Sequence, residues 1–290
     1  MPGEDERIDV LLLGGSVLHH DWSPIDELLA ERLAAALRRP VRIDNLAESS
    51  HTSRDSLLKY RHLRGRHYDA VVVYHGINEV RFNNVPPELF RPEYDHYDWY
   101  RYVNAIERDR WLPRLALPYA LRHVRLAAAG RFGALEVGRS WPREHWLQYG
   151  ADVKTTLSLT ANLEEILDTA RERGEPVVLN TFAIHLPADY DPERFRRMQL
   201  DYVLHISPVK LWGKPEHVAA GVREHNRAIR ALAAGRSGVY LVDQEALLPA
   251  RREYFNDVCH LTVAGSTRFA DNAAPALLEA VTSRDQGASR

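Results

Sequence analysis

The chain has 290 residues, with 38 basic and 40 acidic side chains and a formal net charge of −2; this excludes the cationic footprint of a nucleic-acid or anionic-membrane binder. Its 45% hydrophobic content is enough for one large α/β domain, close to the size at which a single core stops growing. One cysteine, Cys259, excludes an intramolecular disulfide and a cysteine-rich zinc site.

The opening MPGEDERID carries acids where a signal peptide carries bases ahead of an apolar core. No run approaches the ~18 apolar residues of a membrane span, so a soluble cytoplasmic protein is expected. The first strand is expected at IDVLLLG (8–14), which runs into Gly14, Gly15 and Ser16. Two readings compete for this exit: a glycine-rich turn that cradles a phosphate, or a sharp turn that exposes a serine nucleophile. The phosphate reading lacks its usual partners, because no Gly-Lys-Ser/Thr follows and no GxGxxG is present. His19 and His20 come next; adjacent side chains are expected to diverge, and no metal site is expected from them.

Residues 25–38 repeat apolar positions at helical spacing, with Ser23 and Pro24 expected as N-cap and first-turn proline. A second strand is expected at 40–46. It leads into NLAESSHTS (45–53), which reads either as a plain loop capping the next helix (52–64) or as a turn whose backbone N–H faces the serine. The third strand, 69–76, ends in HGINE (75–79), where Asn78 offers a neutral amide donor. Residues 80–150 interrupt the pattern as an insertion dense in Tyr, Trp, Arg and Pro. Its aromatics are read as packing on the domain, as a cap over the site, or, at 91–102, as contacts to an anionic or sugar-like substrate.

A helix at 152–173 stops at Gly174, a plausible C′ residue. A fourth strand (176–183), a helix (216–234), a fifth strand (238–243) and a final helix (263–282) follow, with a disordered tail expected over 284–290. His185 follows the fourth strand and is expected to line the pocket, as are Gly15 and Gly76. After the fifth strand stands NDVCHLT (256–262), which sets Asp257 three positions before His260, with Cys259 read as a small buried residue. Strands without polar alternation, separated by amphipathic helices, imply a parallel sheet with right-handed crossovers, an α/β/α sandwich forming one domain over 1–283.

Four blocks thus fall at strand exits: a serine, a loop N–H, an asparagine amide, and an Asp-His pair. Together they supply a nucleophile, two oxyanion donors and an oriented base. This pattern resembles the SGNH hydrolases, also called the GDSL esterase/lipase family. GGS at 14–16, NLAESSHTS, GINE at 76–79, and DVCH at 257–260 followed by LTxxG match that family's four blocks in order.

The resemblance implies a flavodoxin-like five-stranded fold and metal-independent ester hydrolysis through an acyl-enzyme, with no cofactor. It assigns Ser16 as nucleophile, His260 as base and Asp257 as its orienting partner. The oxyanion hole would comprise the N–H groups of Ser16 and Ser50 and the Asn78 side chain. Two positions depart from the family pattern: the first block reads GGS, not GDS, and Ser50 stands where the second block has glycine. A serine resists positive φ, so either Ser50 donates from an ordinary conformation or the hole is weakened. A short-chain or acetyl ester of a small molecule or carbohydrate is the expected substrate. An acyltransferase on the same site, a decayed ligand-binding relative and a nucleotide-binding flavodoxin-like protein are the alternatives. The sequence is silent on oligomeric state.

Overall fold

The computed structural model describes residues 7–108, 117, 120, 121, 124, 125, 128 and 142–288, with side chains as far as residue 284. Five parallel strands, β1 (Ile8–Gly14), β2 (Val41–Asn45), β3 (Ala70–Tyr74), β4 (Val177–Asn180) and β5 (Val239–Val242), form one sheet in the order β2-β1-β3-β4-β5. Register is continuous across its centre: Val10 pairs with Ala70, and Val71 with Val177. The order reverses between β1 and β3, and a crevice outside the carboxyl ends of the strands at such a reversal is where open α/β sheets bind ligands.

The lack of polar alternation in β1 has a direct cause. Ile8, Val10 and Leu12 pack into one apolar layer with Leu29 and Leu33 of α1 (Ile25–Leu37) and Phe269 and Leu277 of α7 (Val263–Ala288). Leu11 and Leu13 point to the other face. There they meet Leu57 of α2 (Ser53–His62), Leu163 of α5 (Thr155–Arg173) and Ile229 of α6 (Pro215–Ala233). Both faces are covered, so both sets of alternating positions must be apolar. The result is the three-layer α/β/α sandwich expected from the sequence.

Local chemistry sets the helix ends. Gly174 terminates α5 at φ 66°, the left-handed residue expected there. Thr52 caps α2, its side chain accepting from Arg54 N–H while the Asp55 carboxylate accepts from Thr52 N–H at 2.8 Å, a reciprocal capping box. Ser23 does not cap α1: Pro24 occupies that position, and the Ser23 hydroxyl donates to the Val17 carbonyl at 2.7 Å. The seryl side chain therefore secures the turn after β1 instead. Helix α7 runs on to Ala288, past the point where the sequence lost its helical pattern; residues 289–290 lie outside the described residues.

The insertion opens with α3 (Ile77–Asn83), continues through α4 (Asp98–Arg108) and returns by a 3-10 turn at Glu144–Ala151. Phe82, Tyr94, Tyr97 and Tyr100 form a separate buried aromatic cluster with ring centroids about 5 Å apart, and Trp146 is fully buried. These aromatics pack on the domain, whereas the Trp99 ring is exposed, its indole N–H donating to Asp55. The cap reading applies to the whole of 80–150, and most of 109–141 lies outside the described residues.

Candidate active site

β1 ends at Gly14, and Gly15 leads into a 3-10 turn (Ser16–Leu18) closed by Leu18 N–H on the Gly15 carbonyl at 3.1 Å. Ser16 opens this turn, where a backbone N–H has no intrahelical acceptor and faces outward. Gly15 is required by close approach: a Cβ there would stand 2.8 Å from the amide nitrogen of Asn78 and 3.3 Å from the His51 carbonyl.

The chain's far end supplies the second group. The Ser16 hydroxyl lies 2.8 Å from Nε2 of His260, and His260 Nδ1 lies 2.8 Å from Oδ2 and 3.0 Å from Oδ1 of Asp257. A proton on Nδ1 satisfies the carboxylate and leaves the Nε2 lone pair for the hydroxyl, the tautomer that a general base needs. Asp257 is fully buried, and three backbone N–H groups hold it: Cys259 at 3.0 Å, His260 at 2.9 Å and Ser207 at 2.9 Å. The loop that carries the pair is closed by Asn256 N–H on the His260 carbonyl at 2.7 Å and by a bridge between Phe255 and Leu261. Cys259 is buried beside the imidazole, and burial pushes its thiol well above the ordinary range.

The segments after β2 and β3 carry Ser50 and Asn78, two other residues singled out in the sequence. His51 N–H donates to the Glu48 carbonyl at 3.2 Å, closing a four-residue turn in which Ser50 takes φ +68°. That is the third position of the turn, the place where a type II geometry demands positive φ and normally glycine. Ser50 therefore adopts the left-handed conformation and not the ordinary one, at a cost of about 1–3 kcal/mol. Asn78 stands in α3 with its amide held at both ends: Nδ2 donates to the His51 carbonyl at 2.8 Å, and Oδ1 accepts from the Trp212 indole at 3.0 Å. The indole can only donate, so it fixes which end is oxygen and turns the NH2 toward Gly15.

A buried polar layer underlies the loop. The Asp55 carboxylate accepts from Thr52 N–H, from Trp99 Nε1 at 2.9 Å and from the Tyr100 hydroxyl at 2.5 Å, so α4 of the insertion grips the start of α2. Glu79, next to Asn78 and fully buried, accepts from Ser53 N–H at 2.6 Å; burial raises its carboxyl to about 7. His75 is also buried, which lowers it to about 3 and keeps it neutral, and its Nε2 lies 2.8 Å from the Ser56 hydroxyl.

The remaining sequence candidates have partners of their own. His185 pairs with Asp201 at 3.1 Å and packs against Tyr202 and Phe255, while its N–H supports the Val258 carbonyl at 3.0 Å, behind the Asp-His loop. Gly76 stands against the Phe182 ring, its carbonyl 2.9 Å from His225 Nδ1. The adjacent rings of His19 and His20 do not diverge; they stack at 4.9 Å, and with Asp21 they bring three ligand-type atoms within 4.8 Å of one another. His20 and Asp21 are exposed, and the cluster sits on a single turn.

Sequence reasoning missed Trp212, Asp55, Tyr100 and also Trp22, whose indole stacks on His260 with centroids 4.4 Å apart and planes 23° from parallel. Only Asp55 carried a local signal, the Thr-x-x-Asp spacing of a capping box. A lone tryptophan or tyrosine reads as packing until its partner is seen.

A family model described as GDSL-like Lipase/Acylhydrolase family matches residues 12–268. No curated protein matches the sequence. Among solved structures, the lipase Lip_vut3 from a goat rumen metagenome superposes with TM-score 0.53 at 11% identity, covering 93% of this chain and 97% of that one. A mutant of Axe2, an acetyl-xylooligosaccharide esterase from Geobacillus Stearmophilus, gives 0.51 at 13% identity, covering 93% and 94%. LAE5, an alpha/beta hydrolase enzyme from the metagenome of Lake Arreo, Spain, gives 0.50 at 16% identity, covering 95% of each chain. At these identities the likeness is one of fold. No helix among the described residues is long and apolar enough to cross a membrane.

Proposed function

Because the chain belongs to the GDSL-like lipase/acylhydrolase family, we propose that it is a serine hydrolase that cleaves a short-chain carboxylic ester through an acyl-enzyme. The observation that carries this reading is the Ser16–His260–Asp257 relay, with both links at 2.8 Å.

In the first half-reaction the Ser16 oxygen attacks the ester carbonyl as His260 Nε2 takes its proton, general-base help worth about 10²–10⁴ in rate. Asp257 holds the imidazole in its Nδ1–H form and faces the imidazolium that results, without itself taking the proton. The negative oxygen of the tetrahedral adduct is met by the N–H groups of Ser16 and Ser50 and by the Asn78 amide, all neutral donors. Collapse breaks the bond to the alcohol, which leaves with the proton from Nε2. Water then repeats the sequence on the acyl-serine and releases the acid. The left-handed backbone at Ser50 supports a hole of the family's kind despite the missing glycine, and so speaks against a decayed, binding-only site.

A short acyl group and a polar alcohol suit the surroundings. The turn after Ser16 carries His19, Asp21 and Trp22; Glu48 lies 3.7 Å from His19, and Ser49 accepts from Trp22. These residues offer carboxylates, imidazole and an indole to a polar group such as a sugar, and little surface for a long alkyl chain.

A fluorophosphonate probe tests the class directly. The expected result is one covalent adduct on the Ser16 peptide, absent in Ser16→Ala and strongly slowed in His260→Ala. Wild-type protein that takes no label overturns the proposal.

A further inference from the structure

The turn between β1 and α1 brings one side chain against two parts of the site at once. The Trp22 indole lies face to face with the His260 imidazole, centroids 4.4 Å apart. Its Nε1–H donates to the Ser49 hydroxyl at 3.1 Å. Ser49 immediately precedes Ser50, the left-handed residue of the oxyanion turn. Trp22 is itself about one-third exposed, so the full burial of a core anchor is not what holds it. Two specific contacts are.

We propose that Trp22 is a positioning residue that couples the general base to the oxyanion loop, its ring fixing the plane of His260 and its N–H fixing Ser49 beside the strained Ser50. The proposal rests on the serine-hydrolase reading above.

Both contacts have a physical need. The links to Asp257 and Ser16 act at the two ring nitrogens, and small swings of the imidazole about its Cα–Cβ and Cβ–Cγ bonds change their lengths little. A flat partner on the ring face removes this freedom, and an indole face also favours the imidazolium that forms when the base takes its proton. Ser50 needs restraint for a different reason, since a serine at φ +68° relaxes to negative φ unless its turn is held. Asp55 anchors the far end of that segment through Thr52, while the indole bond anchors Ser49. A side chain bonded to both sides keeps base and hole in one register, and displacement of about 1 Å between such groups can cost about 10² in rate.

The groups that face His260 are Asp257 and Cys259 of its own loop, Ser16 from the exit of β1 and the Trp22 ring. His19, His20 and Asp21 share the turn with Trp22, and Glu48 stands across from His19. No charge on Trp22 itself acts on the base, so its replacement tests position and ring character.

The test uses the full-length protein, with the rate of fluorophosphonate labelling at Ser16 and steady-state hydrolysis of p-nitrophenyl acetate as readouts. Trp22→Leu, which keeps an apolar side chain and loses the ring and the donor, is expected to slow labelling and kcat about tenfold with KM changed less than about twofold. Trp22→Phe restores the ring and is expected to recover most of the loss. The remaining deficit should match that of Ser49→Ala, and the double variant Trp22→Phe/Ser49→Ala should be no worse than either, because both remove the same hydrogen bond. In the nuclear magnetic resonance spectrum, the His260 ring protons, assigned with His260→Gln, should move downfield in Trp22→Leu as the stacked ring current is lost.

Labelling and kcat unchanged in Trp22→Leu overturn the proposal while leaving the hydrolase reading intact. A loss equal in Leu and Phe overturns the stacking half, and additive losses in the double variant overturn the hydrogen-bond half. Wild-type protein that neither labels nor turns over ester marks failure of the hydrolase reading itself, a separate outcome.

Discussion

The side-chain amide of Asn78 donates to the backbone carbonyl of His51 at 2.8 Å. A residue at the exit of β3 thereby binds the segment after β2, next to the Ser50 N–H. The amide is thus tied to the residue that follows Ser50, and an oxyanion hole built from the amide and the Ser50 N–H would be set before any substrate arrives.

Loss of this amide should be felt in catalysis more than in folding. Asn78→Ala is expected to lower kcat by about 10²–10³, and the Trp212 indole, which orients the amide from its oxygen side, sets up a companion test. Trp212→Phe leaves the amide held at one end only, by the His51 carbonyl, and should lower kcat by about tenfold. Steady-state kinetics on a p-nitrophenyl ester measure both; unchanged kcat in Asn78→Ala contradicts its role.

Ser50 makes the opposite kind of prediction. At φ +68° a glycine fits without strain, and the gain outweighs the chain entropy that glycine loses. Ser50→Gly should therefore keep activity and raise stability by about 1 kcal/mol. Ser50→Pro removes the N–H and forbids positive φ, and should cost about 10²–10³ in kcat. Denaturant midpoints and kinetics on the two variants check the pair.

The insertion's grip on α2 should be measurable as stability. Tyr100→Phe removes the hydroxyl that donates to the buried Asp55 carboxylate and should destabilise by about 1–3 kcal/mol. It should also lower kcat, because Asp55 holds the start of the helix that follows the Ser50 turn. A variant with full stability would show that the insertion packs without clamping.

How much of this was legible in the sequence differs by level. Strands β1 and β3 were visible because a sheet covered on both faces requires unbroken runs such as VLLL and AVVV, and no other short element demands them. The end expected for β4 overshoots by three residues, since the backbone leaves the sheet at Asn180 while the apolar pattern runs on through Phe182 and Ala183, and that expected for β5 overshoots by one, at Asp243. Ser16, Asn78, Asp257 and His260 could be singled out because each follows a strand and strand exits share one edge. The support around them was not legible. Trp22 meets His260 across 238 positions, and Trp212 meets Asn78 across 134. No periodicity encodes such a meeting, and the Ser23 cap reading fails for the same reason: the Val17 carbonyl, its neighbour in space, takes the hydroxyl.

Glu79 gives a pH test free of any substrate. Burial raises its carboxyl to about 7 from 4.5. The folded state therefore binds the proton more tightly than the unfolded state, and the stability this contributes is complete below about pH 4.5 and lost as pH rises through 7. Relative to Glu79→Gln, which cannot titrate, wild-type stability should fall by an amount on the order of 3 kcal/mol across that window and then level off. Urea denaturation of both proteins from pH 4.5 to 8 measures the difference; parallel curves would contradict a buried, titrating Glu79.

The relay from Ser16 to Asp257 is tested most directly by hydrolysis of p-nitrophenyl esters of graded acyl length, comparing wild type with Ser16→Ala, His260→Ala and Asp257→Ala. Turnover should be highest on acetyl or butyryl esters, vanish in Ser16→Ala, nearly vanish in His260→Ala, and fall less in Asp257→Ala, because members of one catalytic unit fail together. Equal turnover by wild type and Ser16→Ala would contradict the account at its centre.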